Sequence, residues 1–153
     1  MIRRYLPIAL TLYIAFVFIQ SLFFKFTDSV ETQYIFGTLE AWGTSLGWTG
    51  LFAHDGIFSQ YVVGTGELIA STLLLAGLRV SVLRPVGALM ALGVISGAIF
   101  FHLFTPLGVS VLNAGGTHDG GELFALACGV WVAAVLLLWM SRDVTGRLIA
   151  RKG

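Results

Sequence analysis

The chain has 153 residues, 57% of them hydrophobic and 11% charged, with a net charge of +1 and a mean hydropathy of +0.89. A soluble domain is about 25% charged, so this much apolar surface requires lipid as its solvent. The near-neutral charge gives no basic field for nucleic acid, and Cys128, the single cysteine, excludes an internal disulfide and dithiol redox chemistry.

Arg3 and Arg4 precede a nearly unbroken apolar run, residues 5–26, close to the ~20 residues that span a bilayer. The run is too long for the hydrophobic part of a signal peptide, and no small-residue cleavage pattern follows it. It is expected to be a retained first span. Over 28–46 the acids Asp28, Glu31 and Glu40 appear among Val30, Tyr34, Phe36, Leu39 and Trp42, which share one helical side. This predicts a short amphipathic helix on the membrane surface, opened by Asp28 and Glu31 as a capping box. A glycine-rich loop follows, and Trp42, Trp48 and Phe52 suit an aromatic belt at headgroup level.

A second span is expected over 58–78 and a third over 85–104, opened by Pro85 and stopped before Pro106. A fourth follows over 122–140, and residues 141–153 form a basic tail. His54-Asp55 and His118-Asp119 recur ahead of the second and fourth spans, and both aspartates are expected to serve as N-caps. Gly93 and Gly97, four residues apart, form a close-approach motif for helix pairs.

Eight of the nine Lys and Arg fall on one side of these spans: Arg3, Arg4, Arg79, Arg84, Arg142, Arg147, Arg151 and Lys152. The positive-inside rule then places both termini in the cytoplasm of a plasma (inner) membrane protein. The expected fold is a single all-α membrane domain over 1–153: a four-helix bundle with a short amphipathic helix on its outer side.

Glu67 stands inside the second span. A carboxylate there costs about 2.5–3.5 kcal/mol even on insertion scales, so it needs a partner, a proton or a polar cavity. It lies about 13 Å below the outer end of its span, at 1.5 Å per residue. Lys25 closes the first span on the same side, His102 lies near the outer end of the third, and Glu122 opens the fourth. Each helix thus offers an ionisable group in the outer half. Gln60, Gly64, Glu67 and Ser71 share one stripe, as do Glu122, Ala125, Gly129 and Ala133. Ionisable groups in lipid turn inward. A pocket lined by Lys25, Gln20, Glu67, His102 and Glu122 is expected in the outer half, with the amphipathic segment as its lid.

Gly64-x-x-Glu67, followed by Leu73-Leu74-Leu75-Ala76-Gly77-x-Arg79, resembles the second helix of DoxX-like membrane proteins. Phe23-Phe24-Lys25-Phe26 is similar to the end of that family's first helix, where a lysine commonly sits; Ser21 and Phe23 stand where the family often has an arginine and a glycine. The resemblance implies a small four-helix membrane protein, in some members a partner of oxidoreductases, among them a quinone-linked dehydrogenase, and in distant relatives an assembly chaperone.

Three functions are open on this sequence. In the first, the chain is a redox-associated membrane subunit. A quinone enters from lipid, Glu67 and His102 bond its oxygens as candidate catalytic groups, and Lys25 stabilises developing negative charge. In the second, Glu67, His102 and Glu122, with His118 or His54, hold zinc or copper, although no tight ligand spacing is present. In the third, the chain is a non-catalytic assembly protein that meets a redox enzyme or a second copy of itself through Gly93 and Gly97. A pore is the weakest option, because no polar path continues through the inner half.

Overall fold

The computed structural model describes residues 2–142, so Arg147, Arg151 and Lys152 of the expected tail lie outside the described residues. It contains five helices: α1 (Ile2–Phe26), α2 (Val30–Ser45), α3 (Gln60–Ala76), α4 (Leu83–Phe104) and α5 (Glu122–Met140). Three stretches are long and apolar enough to cross a membrane: Tyr5–Phe26 of α1, and all of α4 and α5.

The shorter helix is α3, with 17 residues against the 58–78 expected. Local chemistry trims both ends. Ser59 caps the start, its hydroxyl accepting from the Val62 amide at 3.4 Å. At the far end a Cβ on Gly77 would lie 2.7 Å from the Arg84 amide nitrogen, so the chain turns there with no side chain to spare. The Arg84 guanidinium closes that turn by donating to the Gly77 carbonyl at 3.1 Å.

Two of the three expected aspartate caps are replaced by serines. Ser29, not Asp28, caps α2, accepting from the Thr32 amide at 3.3 Å, and Ser59 takes the place expected of Asp55. Asp28 instead adopts a left-handed backbone with φ of 51°, a region that asparagine and aspartate visit more readily than most residues. Its carboxylate accepts from the Gln60 amide group at 3.0 Å and from Gln33 at 3.1 Å. Gln60 also donates to the Lys25 carbonyl at 3.0 Å, so the end of α1 is tied to the start of α3. The N-cap residue of α5 is Gly121 and not Asp119, but the Asp119 carboxylate, two residues ahead, accepts from the amides of Gly121 at 2.9 Å and Leu123 at 3.0 Å.

The long helices pack in a ring: α1 against α3 and α5, and α4 against the same two. The α1–α3 seam joins two stripes of alternating three- and four-residue spacing. Thr11, Ile14, Phe18, Ser21 and Lys25 form one; Gln60, Gly64, Glu67, Ser71 and Leu74 form the other, all five of them buried. Below Glu67 this seam joins an apolar core built on Ile14, Phe18, Leu74, Ala88, Val130, Ala134 and Leu137. Outside the ring Phe16, Phe23, Leu89 and Trp139 stand exposed, as side chains facing hydrocarbon would.

Within the chain, α3 and α4 approach closely at a glycine outside the Gly93–Gly97 pair. This is Gly87, where a Cβ would sit 2.8 Å from the Leu74 backbone nitrogen. Around Gly93 and Gly97 nothing lies within 4 Å of an added Cβ, so neither glycine is used for packing within the chain.

α2 lies over the ends of α1, α3, α4 and α5 that carry Lys25, Gln60, His102 and Glu122. A second apolar cluster of Leu39, Phe52 and Leu107, flanked by Phe36, Trp42 and Phe101, fastens it there. Phe52 is therefore buried and not part of an outward belt, while Trp48 is exposed and Val30 turns away from the buried face. Glu40 holds the following loop: its carboxylate accepts from the Gly50 amide at 2.6 Å and the Phe52 amide at 2.9 Å. These amides, Gly50 foremost, hold the Glu40 carboxyl below its ordinary pKa. Glu31 reaches the other loop, accepting from the Ala114 amide at 2.9 Å.

Candidate functional site

Beneath α2 lies a cavity of about 460 Å³ reached by all five helices. This is within the 300–1,000 Å³ common for small-molecule sites. Apolar side chains form most of its wall, among them Phe24 of α1, Ile35, Phe36 and Leu39 of α2, Phe101 of α4, and Leu123 and Leu126 of α5. The polar groups are few: Gln20, Ser21 and Lys25 from α1, Glu31 and Thr32 from α2, Glu67 from α3 and His102 from α4.

Four of the five residues expected to line a pocket do so: Gln20, Lys25, Glu67 and His102. Glu122 does not. It is exposed, and α5 turns Leu123, Leu126 and Ala127 to the cavity instead. The buried face of α5 is Ala127, Val130, Ala133, Ala134 and Leu137, so of the expected stripe only Ala133 belongs to it. Gly129, also of that stripe, backs onto the Tyr13 hydroxyl.

Glu67 and Lys25 meet in an ion pair. The Lys25 ammonium lies 3.0 Å from Oε1 and 3.1 Å from Oε2 of Glu67. It also donates to the Ser21 hydroxyl, which in turn donates to Glu67 Oε1 at 3.4 Å. Ser21 was not among the expected site residues. Its signal was available: it precedes Lys25 by four positions and so shares its face. The three N–H bonds of the ammonium thus meet three acceptors, and the charged pair is satisfied within itself. This is the arrangement a buried ion pair needs, because desolvation of both charges is offset only with good geometry and full hydrogen bonding.

His102 and Gln20 are different. His102 is 8% exposed, and its Nδ1 lies 2.6 Å from the Gly108 carbonyl. A carbonyl oxygen only accepts, so Nδ1 carries the hydrogen and Nε2 presents a lone pair in the neutral ring. The ring is also held edge-on by Phe124, at 5.6 Å between centroids. Among the described residues neither His102 Nε2 nor the Gln20 amide has a hydrogen-bonding partner. Two of the side chains that line the cavity thus keep free polar atoms, an acceptor on His102 and a donor and acceptor on Gln20, in a mostly apolar wall.

His118 lies in the loop between α4 and α5, its Nδ1 3.2 Å from the Ser110 carbonyl and its ring edge against Tyr34. His54 packs its ring against Tyr61. Among the described residues no three His, Cys, Asp or Glu side chains converge as a metal site requires, so Glu67, His102, Glu122 and His118 are not gathered into one donor set.

Compared with known proteins, the chain matches no family model, no characterised protein and no solved structure.

Proposed function

We propose that the chain is a membrane protein of DoxX-like type whose outer-half cavity binds a lipid-soluble carbonyl compound, a quinone or its quinol, in a redox-associated role. The observation that carries this reading is the pairing of an apolar chamber with unpartnered polar atoms, His102 Nε2 and the Gln20 amide. A quinol hydroxyl would donate to His102 Nε2. A quinone oxygen would accept from Gln20. Lys25 and Glu67 would act at one remove, since each already has its partner, by fixing α1 against α3 and so placing Gln20.

The same reading takes the ring of α1, α3, α4 and α5 as a four-helix bundle across the membrane. α3, at 17 residues, is at the lower limit of spanning length. Arg79 and Arg84 in the α3–α4 turn and Arg142 after α5 favour a cytoplasmic position for that end and for both termini. α2 and the 105–121 loop then cover the cavity on the outer side of the inner membrane.

The test is direct. Protein purified in detergent is examined for co-extracted quinone by ultraviolet absorbance and then titrated with added quinone. A preparation that carries none and binds none ends this reading.

A second reading has its own support in the closure of the Lys25–Ser21–Glu67 network. A fully satisfied pair suits a structural fastener, and the chain would then be an assembly protein with no guest, meeting a redox enzyme or a second copy at Gly93 and Gly97. Under it, Glu67→Gln and Lys25→Met together leave function in place. Loss of function in a folded double variant excludes it.

A further inference from the structure

The cavity wall contains residues that also face outward. Gly93 of α4 lines the cavity and is exposed, and the same holds for Val62 of α3, which is 52% exposed. A residue that borders the inside and the outside at once marks where the chamber opens. On either side of this place α3 and α4 are in contact: a Cβ on Gly66 would meet the Val94 side chain at 3.3 Å. At Gly93 and Gly97 an added Cβ would meet nothing within 4 Å, although both line the cavity. The opening is therefore a slit along the α3–α4 side of the chamber, running from Ile57 and Phe58 in the loop ahead of α3, which also line the cavity and are 68% and 45% exposed, down to Val62, Gly93 and Gly97.

Depth gives this opening a meaning. Gly97 and Gly93 stand five and nine residues before His102 on α4, hence about 7 and 13 Å further into the membrane at 1.5 Å per residue. His102 is more than nine-tenths buried and keeps an unpartnered nitrogen on the cavity wall. A polar head held at His102 under α2 would have its other end directed down α4 toward the two glycines and the hydrocarbon beyond them.

We propose that the guest is a single-tailed amphiphile, with a compact polar head at His102 and Gln20 and one hydrocarbon chain leaving the protein sideways past Gly93 and Gly97. This rests on the reading of the cavity as a quinone site and adds to it the shape of the ligand and its route of entry. The glycines serve as a slot for the chain, which is why they are left unpacked by their own helices. A tail in this slot exchanges lipid contacts for equally apolar protein contacts, so it adds little affinity. What it adds is a steric requirement that can be removed.

The experiment compares two ligands on the purified protein: a benzoquinone substituted only with methyl and methoxy groups, and the same ring carrying a decyl chain. In the wild type both bind, within about threefold at equal mole fraction in the micelle, because the tail gains nothing over detergent. Gly93→Leu and Gly97→Leu together weaken the decyl compound by about tenfold or more through a built clash and leave the methyl compound unchanged. An added Cβ meets nothing within 4 Å at either position, and an unchanged helical circular-dichroism spectrum and melting temperature show that the leucines leave the fold intact. Independently of any variant, a photoreactive diazirine at the end of the decyl chain labels α3 and α4 around Val62 and Gly93.

Equal weakening of both ligands, no weakening of either, or labelling confined to α1 and α5 overturns the slot while leaving the quinone site standing. Loss of a dimer in the leucine variant with both ligands still bound assigns the glycines to a second copy and overturns it as well. Binding of neither quinone by the wild type removes the site, and the slot with it.

Discussion

Lys25 of α1 and Glu67 of α3 face each other in the α1–α3 seam on the side nearer α2, with the ammonium 3.0 and 3.1 Å from the two carboxylate oxygens. Removing one member of such a buried pair leaves the other charge stranded, at a cost of about 3–5 kcal/mol. Lys25→Met alone is expected to lower stability by that order. Lys25→Met with Glu67→Leu is expected to recover most of the loss, since an apolar pair of similar volume is near neutral. Thermal unfolding in detergent on the two single variants and the double closes the cycle. Additive losses would show that the pair is not coupled.

The glycines of α4 should behave as opposites. Gly87→Ala forces a methyl against the Leu74 backbone, and backbone cannot give way as a side chain end can. A loss of about 1–3 kcal/mol is expected from such overpacking. Gly93→Ala enters open space and should stay within about 0.5 kcal/mol of the parent. Melting temperatures in the same detergent decide between this order and the reverse one that the sequence motif implies.

His102 tests the binding proposal. His102→Phe keeps an aromatic ring against Phe124 but removes both nitrogens, so the guest loses one hydrogen bond, about 1–1.5 kcal/mol or roughly tenfold in affinity. The Gly108 carbonyl also loses its donor, which lowers stability slightly. His102→Gln restores a polar end and should recover part of the binding. Tryptophan quenching on titration with quinone reads both. Unchanged affinity in His102→Phe would remove His102 from the site.

Acid should loosen the outer cover before the core. The Glu40 carboxyl is held below its ordinary value of 4.5 by the amides of Gly50 and Phe52. At Asp119 burial acts upward, but the amides of Leu123, Gly121 and Val111 and the Ser110 hydroxyl outweigh it, and its pKa too is lowered. A depressed folded-state value means the unfolded chain binds the proton more readily. The stabilisation is complete above the ordinary carboxylate range and is lost as pH falls through the folded value. Hydrogen exchange at Gly50 and Phe52 should therefore rise as pH falls below that range, beyond the intrinsic pH dependence of exchange. Glu40→Gln should show fast exchange at every pH. Protection that persists in Glu40→Gln would show that the loop is held by something else.

The five helices were legible because composition and periodicity report directly on lipid-facing and core-facing positions. Their ends were less so. Ser29 displaced Asp28 as a cap because Gln60, 32 residues away in sequence, claims the aspartate, and no local pattern contains that contact. Lys25, Gln20, Glu67 and His102 could be placed by depth and face alone. Glu122 failed the same reasoning because it sits in the first turn of α5, one residue before the face that Leu123 opens. The cavity roof was legible only in α2: Phe52, Phe58 and Leu107 come from irregular segments, where no repeat tells which side chain points inward. What meets Gly93 and Gly97 was not legible for a related reason. Spacing reports that two small residues share a face, not whether that face meets a helix or an empty slot.

The triangle of Lys25, Ser21 and Glu67 has a consequence for selectivity. Ammonium and carboxylate cancel, so the pair adds no net charge to the chamber, and the one formal charge left over on its wall is the Glu31 carboxylate. A fatty-acid carboxylate entering from the bilayer would find no free cation left to neutralise it and would bear its full desolvation cost. Uncharged guests would not meet that barrier, so the closed pair would select against anionic lipids.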